Sequence, residues 1–301
     1  MFFWGTAFRA SAIGAEHTSP IMLTALRAAP AAIVLLAVAL LLRSRLPGRG
    51  LWLATVVTGL LMVTLTLEGI SEGTARAGAG NAAILLNASP LFVLVLGRVF
   101  LGERTTPLGL AGLGLGFAGI VVMVSTQLGG IEDTGDFALG MGLALAGALG
   151  WAIGVLMTKT LFTRHADLDM VGFTVAQYLI GGAAGLALAF GLEGTAGTDW
   201  GSASLWGAVA WIAVGSSAIA TLTFFGALKR MSATTVTAWQ FLAPVVAVLV
   251  EIGRGNTPEA IVLAGMGLAI VGVALVNLAP QQSKGVPSEE RGFRWSFSKA
   301  R

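Results

Sequence analysis

Residues 20–42 read PIMLTALRAAPAAIVLLAVALLL, and Arg43-Ser44-Arg45 follow. A single charge, Arg27, interrupts these 23 residues. At about 1.5 Å per residue a helix of this length crosses the roughly 30 Å hydrocarbon core of a bilayer. The basic residues after it mark the cytoplasmic edge of such a span.

The rest of the chain has the same character. Of 301 residues 55% are hydrophobic and 11% charged. A water-facing domain carries roughly a quarter charged residues, so this surface must face lipid. The 42 glycines fit close helix packing in a membrane. There is no cysteine, which removes disulfide, thiolate and iron–sulfur chemistry. The net charge of +3 sits mostly in the C-terminal tail and does not suggest a nucleic-acid partner. Met1-Phe2-Phe3-Trp4 lacks a basic leader and a cleavage pattern, so no removable signal is expected.

Ten apolar stretches are expected to span, at 1–15, 20–42, 51–70, 77–101, 107–125, 139–161, 170–191, 204–227, 233–252 and 259–278. The first is short, and a start upstream of Met1 is the favoured explanation. With ten spans, 14 of the 18 basic residues fall on one side. They include Arg43, Arg45, Arg49, Arg98, Arg104, Lys159, Arg164, Lys229 and Arg230. The other side collects Glu16, Glu132, Asp133, Asp136, Glu193 and Asp199. The positive-inside rule then places both termini in the cytoplasm, in a multi-pass protein of the inner (plasma) membrane. Residues 281–301 read as a disordered basic cytoplasmic tail.

Ala111-Gly112-Leu113-Gly114-Leu115 recurs as Ala264-Gly265-Met266-Gly267-Leu268, and Gly119 recurs as Gly272 at the same interval. Pro90-Leu91-Phe92-Val93 recurs as Pro244-Val245-Val246-Ala247. Two units of five helices, 1–125 and 139–278, follow. An odd unit places the second copy upside down, the inverted-topology repeat of secondary transporters, whose site lies near the midplane. The expected fold is thus all-α, ten transmembrane helices as two inverted five-helix repeats.

Trp4-Gly5, Pro20 with Arg27 seven residues on, Pro90 in the fourth span, and Leu101-Gly102-Glu103-Arg104 before a Gly-rich fifth span resemble the drug/metabolite transporter superfamily, EamA type. The resemblance covers residues 1–278. It implies an ATP-independent ten-helix carrier of small metabolites, often amino acids. The second copy departs from the pattern, with Gly255-Asn256-Thr257-Pro258 where the Gly-Glu pair would stand. The third span departs too, carrying Glu68 and Glu72 where the family usually has apolar or aromatic residues.

Ionisable groups inside a membrane are costly and so are functional candidates. Arg98, Lys159 and Glu251 lie near span ends and are expected to snorkel to the interface. Arg27 is deeper and could fork onto a substrate carboxylate or phosphate, or pair internally with Glu68 or Glu72. Those two glutamates share a helical face and raise each other's pKa, which suits proton coupling, attraction of a cation, or an acidic rim. Asn87, Gln177, Tyr178 and Gln240 are candidate lining residues, and Trp4, Trp151 and Trp239 could stack on a substrate. Pro90 and Pro244 are candidate hinges. Glu103 is expected at the N-terminus of its own following helix, and Gly109, Gly112, Gly116 and Gly119 are expected to form a helix contact face.

A Ser–His hydrolase is disfavoured because His17 and His165 lie in loops, which leaves Gly215-Ser216-Ser217 without a base. No metal-ligand spacing, nucleotide loop or channel filter is present. The expectation is therefore a secondary transporter of a small amino-acid-like or drug-like solute by alternating access, with export the expected direction and proton coupling open to it. It would lie in the lipid bilayer as monomer or homodimer, with no cofactor, no metal and no enzyme activity. A non-transporting or lipid-handling membrane protein is the alternative.

Overall fold

The computed structural model describes residues 1–128 and 134–279. The tail expected at 281–301, and Glu132 and Asp133, lie outside them. Among the described residues there are ten helical segments and no strand. They are α1 (Phe2–Ala15), α2 (Pro20–Leu42), α3 (Arg49–Ala77), α4 (Ala79–Phe100), α5 (Pro107–Gln127), α6 (Thr134–Arg164), α7 (Met170–Leu192), α8 (Ala203–Arg230), α9 (Ala233–Gly253) and α10 (Ala260–Leu278). All but α1 are long and apolar enough to cross a membrane.

The third span runs past the expected residue 70 to Ala77, and the sixth starts at Thr134 rather than 139. The polar end of α3 is stabilised by packing on α6 instead of facing lipid. Gly69 and Gly73 press against Leu143, Gly147 and Ala144, and Arg76 ties Glu72 to Asp136. Gly78, at φ 85, then turns the chain into α4.

The helices pair across the two halves. α2 lies along α7, and α5 along α10. α1 packs on α8 and α9, while α6 packs on α3 and α4. The α5–α10 contact is backbone on backbone: a Cβ on Gly112 would lie 2.7 Å from Gly272 O, and one on Gly119 2.6 Å from Gly265 O. In lipid, where no hydrophobic force drives helices together, such close approach supplies the attraction. Gly116 belongs to the same contact, since a Cβ on Gly272 would run into Gly116 N, and Gly116 also meets the Phe241 ring, while Gly109 meets Thr105 and Ala279.

Two further features come in pairs. α3 and α8 each contain a π-helical stretch, Leu60–Leu65 and Ile212–Ile219. α4 and α9 are each interrupted, α4 at Ala88 and α9 at Trp239–Phe241. The breaks stand just before Pro90 and Pro244, because proline has no N–H and its ring clashes with the carbonyl four residues back. Ser89 Oγ joins the two breaks by donating to Gln240 Oε1 at 3.1 Å.

Below the breaks, residues 89–100 of α4 pack on 233–238 of α9. Beyond them the helices part: 79–87 lean on α5 and α6, and 242–253 on α1 and α10. The packed end is the one whose loops carry Arg43, Arg45, Arg104 and Arg164; it is called the basic end here, and the opposite one the acidic end. An aromatic core of Phe162, Phe173, Phe224 and Phe225 fills it.

Side chains seal the basic end. Glu103 does not serve its own following helix, where Thr106 is the cap, with Oγ1 accepting Gly109 N–H at 3.2 Å. Its carboxylate instead accepts from Ala233 N–H at 3.0 Å, Thr234 N–H at 3.3 Å and Thr234 Oγ1 at 3.0 Å, capping α9. The reason is geometric: α9 offers unpaired N–H groups and a dipole end to the turn that carries Glu103. Lys159 Nζ donates to Leu228 O and Met231 O, both at 2.9 Å, at the end of α8 and in the turn that follows it. Glu251 stays at its helix end, accepting from Asn256 Nδ2 at 2.6 Å. Arg98 is exposed.

Candidate functional site

Arg27 lies on the side of α2 that faces α8. Its Nε donates to Ser217 Oγ at 3.2 Å and its Nη2 to Ser216 Oγ at 3.3 Å. No carboxylate oxygen comes within 4.0 Å of the guanidinium among the described residues. The internal ion pair open to Arg27 is therefore not made. The serines belong to the π-helical stretch of α8, an element that recurs at functional sites because its wider turn displaces backbone groups. One displaced group is in use, since Trp4 Nε1 donates to Ser216 O at 3.1 Å.

Trp4 also begins an aromatic wall. Its ring lies 5.8 Å from Trp151 and 5.4 Å from Phe224, and those two are 5.4 Å apart. Three rings from α1, α6 and α8 thus form one cluster, with tilted and edge-on contacts that favour ring packing.

Among the described residues three buried side-chain polar atoms have no hydrogen-bond partner: Glu68 Oε2, Trp151 Nε1 and Gln177 Nε2. Such atoms are rare in folded proteins and call for a ligand, water or strain to explain them. Trp151 is 9% exposed and Gln177 1%. Gln177 is pressed onto α3, where a Cβ on Gly59 would lie 2.9 Å from its backbone oxygen. The Glu68 carboxylate reaches α7 at Gly185, and Glu68 lies within electrostatic reach of Arg27. One acceptor on α3 and two donors, on α6 and α7, therefore stand without partners among the described residues.

Glu72 is separated from this group. It binds Arg76 Nε at 2.8 Å, and Arg76 Nη1 binds Asp136 at 2.6 Å, so Glu72 belongs to an ion-paired rim at the acidic end. Tyr178 is buried with its hydroxyl 3.1 Å from Thr221 Oγ1, next to the site rather than unpaired in it. Asn87 is turned back on its own helix, donating to Ala83 O at 2.8 Å, and Gln240 is engaged with Ser89. Trp239 points away: it is 40% exposed and donates to Asn277 Oδ1 on α10.

Ser216, Ser217 and Phe224 are the additions that sequence reasoning missed. The serine pair stood out only as a nucleophile lacking a base. Its position in the eighth span, opposite the deep arginine of the second, was the available signal.

The EamA-like transporter family model matches residues 1–125 and 138–278. The uncharacterized transporter YvbV of Bacillus subtilis is 26% identical, over 94% of this chain and 91% of its own length. The uncharacterized inner membrane transporter YedA of Escherichia coli is 28% identical over 91% and 87%. A probable terminal-alkyne amino-acid exporter of Streptantibioticus cattleyicolor is 26% identical over 69% and 67%. One solved crystal structure superposes with a TM-score of 0.77 at 24% identity, over 92% of this chain and 93% of that one, which speaks to the fold alone.

Proposed function

The chain belongs to the EamA-like transporter family, and from that premise we propose that it exports a small amino-acid-like carboxylate by alternating access, with Arg27 receiving the carboxylate. The observation that carries this reading is a buried-side guanidinium held by two hydroxyls and by no acid among the described residues. A positive charge without a counter-ion is costly in a membrane interior, and a substrate carboxylate would relieve that cost. Trp151 Nε1 and Gln177 Nε2 are further donors without partners, and the Trp4, Trp151 and Phe224 rings offer an apolar seat for a side chain. The exporter relative makes an amino-acid-like cargo reasonable.

Alternating access draws support from the paired features: two π-helical stretches, two proline-linked breaks, and first helices that each pack on the opposite half. They fit two inverted repeats, 1–125 and 139–278, with Pro90 and Pro244 as hinges. The basic loops are assigned to the cytoplasm. With the basic end sealed and α4 and α9 parted beyond their breaks, the conformation fits one open to the outside. Glu68, unpaired and close to Arg27, is the proposed proton carrier; Glu72, committed to Arg76, is left out of that role.

Counterflow in proteoliposomes tests the reading. Liposomes loaded with each of the common amino acids are diluted into the labelled compound. Saturable exchange of at least one, driven further by a pH gradient in wild type and not in Glu68→Gln, is expected. Absence of exchange across the set would remove the amino-acid reading.

A further inference from the structure

Hydroxyls, not a carboxylate, hold Arg27, at 3.2 Å from Ser217 Oγ and 3.3 Å from Ser216 Oγ. Both serines are buried, at 0% and 3% exposure, and Ser216 is fixed further by the Trp4 indole on its carbonyl oxygen. Glu68 on α3 is the neighbouring acid: its Oε1 lies 3.2 Å from where a Cβ on Gly185 of α7 would stand, a position that also borders Ala25 of α2, and its Oε2 has no hydrogen-bond partner among the described residues. In a poorly hydrated interior such a pair attracts far more strongly than in water. Arginine and carboxylate also match as a two-bond fork. The expected resting arrangement is a closed ion pair, yet the pair is open. Something must hold the guanidinium back, and the serines occupy two of its N–H groups.

We propose that Ser216 and Ser217 are positioning residues that hold Arg27 off Glu68, keeping the ion pair split so that the guanidinium stays available to a substrate carboxylate. Hydroxyls suit this role because they orient the fork without neutralising it. An acid at either position would cancel the charge the substrate needs. The split pair also sets the cargo class: a molecule bearing a carboxylate is taken, and one bearing only an ammonium group is refused at Arg27. The proposal rests on the assignment of Arg27 to the carboxylate.

The test uses the whole chain in proteoliposomes and counterflow of labelled L-leucine. Two competitors share its carbon skeleton: 4-methylpentanoate, with the carboxylate alone, and isoamylamine, with the ammonium alone. Wild type is expected to exchange leucine and to be inhibited by 4-methylpentanoate and not by isoamylamine. The double variant Ser216→Ala/Ser217→Ala should raise the half-saturating leucine concentration about tenfold, the scale of losing hydrogen bonds to a charged group. Ser217→Thr, which keeps a hydroxyl, should stay close to wild type. Adding Glu68→Gln to the alanine pair should bring the half-saturating concentration back down, because the acid onto which Arg27 closes is gone. If the alanine pair fails to fold, Ser217→Cys, similar in size and a feeble acceptor, replaces it.

A loss that Glu68→Gln does not relieve means the serines merely pack, and overturns the proposal. Serine variants with wild-type affinity overturn it too while leaving the Arg27 assignment intact. No leucine exchange by wild type, or inhibition by isoamylamine alone, overturns both.

Discussion

Thr234 meets Glu103 twice, donating to Oε2 from its backbone N–H at 3.3 Å and from Oγ1 at 3.0 Å. With Ala233 N–H on Oε1, the turn after α4 is thereby fastened to the start of α9. Each bond joins an ionised acceptor to a donor at a helix N-terminus, where negative charge is favoured. Lys159 holds the end of α8 beside it.

Glu103→Gln should therefore loosen the basic end. Val93, 0% exposed between α4 and the aromatic core, reports on it. The chain has no cysteine, so Val93→Cys carries the only thiol. In inverted membrane vesicles its reaction with an impermeant maleimide should rise at least about tenfold when Glu103→Gln is added, from the loss of a charge-assisted bond of about 1.5–3 kcal/mol. An unchanged rate would mean that the α4–α9 packing closes this end unaided.

The tryptophans should separate stability from binding. Trp4→Phe removes a made hydrogen bond to Ser216 O and should cost about 1 kcal/mol of stability. Trp151→Phe removes an N–H that has no partner, so the unfolding midpoint should hold or rise while solute affinity falls. Equal stability losses in both would show that the Trp151 N–H is satisfied in the resting protein.

Glycine positions on α5 should differ sharply. Gly119→Ala places a Cβ 2.5 Å from Ala269 N and 2.6 Å from Gly265 O, both backbone atoms that cannot step aside. Overpacking of that kind costs about 1–3 kcal/mol. Gly114→Ala meets nothing within 4 Å and should be neutral or stabilising by up to about 1 kcal/mol through helix propensity. Thermal melts of the purified protein in detergent check both.

Asp169, in the loop before α7, supplies a pH-dependent test. Burial pushes its carboxyl upward, but N–H groups of Gly172, Arg45 and Val171 together outweigh this and hold it below the ordinary aspartate range. Its stabilisation is therefore present above the unfolded value and lost as pH falls through the folded one. Asp169→Asn should cost about 1 kcal/mol at neutral pH, as for a weakened helix cap, and the gap to wild type should narrow below about pH 4. A gap independent of pH would show that the amide loses something other than the charge.

Much of the architecture was legible because membrane crossing leaves few choices. Runs such as 20–42 are too apolar for water, and Pro90 and Pro244 mark where a helix cannot continue unbroken. Arg27 stood out because depth makes a charge expensive. What stayed hidden depended on which helices meet. The Glu103 cap joins residues 130 positions apart, and nothing local to Leu101-Gly102-Glu103-Arg104 points to α9. The end of α3 looked too polar to span because its partner, Asp136 on α6, lies in another element. Ser216 and Ser217 are ordinary small residues until α2 places a guanidinium over them, and nothing local to Trp239 shows that its indole turns to Asn277 on α10.

The central claim is that Arg27 receives the substrate carboxylate. Counterflow of labelled L-leucine, measured for wild type, Arg27→Ala and Arg27→Lys at equal reconstituted protein, tests it most directly. Arg27→Ala should fall to the level of protein-free liposomes while remaining folded and monodisperse. Arg27→Lys should recover only part of the exchange, since an ammonium keeps the charge and loses the fork. Wild-type exchange by Arg27→Ala would contradict the account.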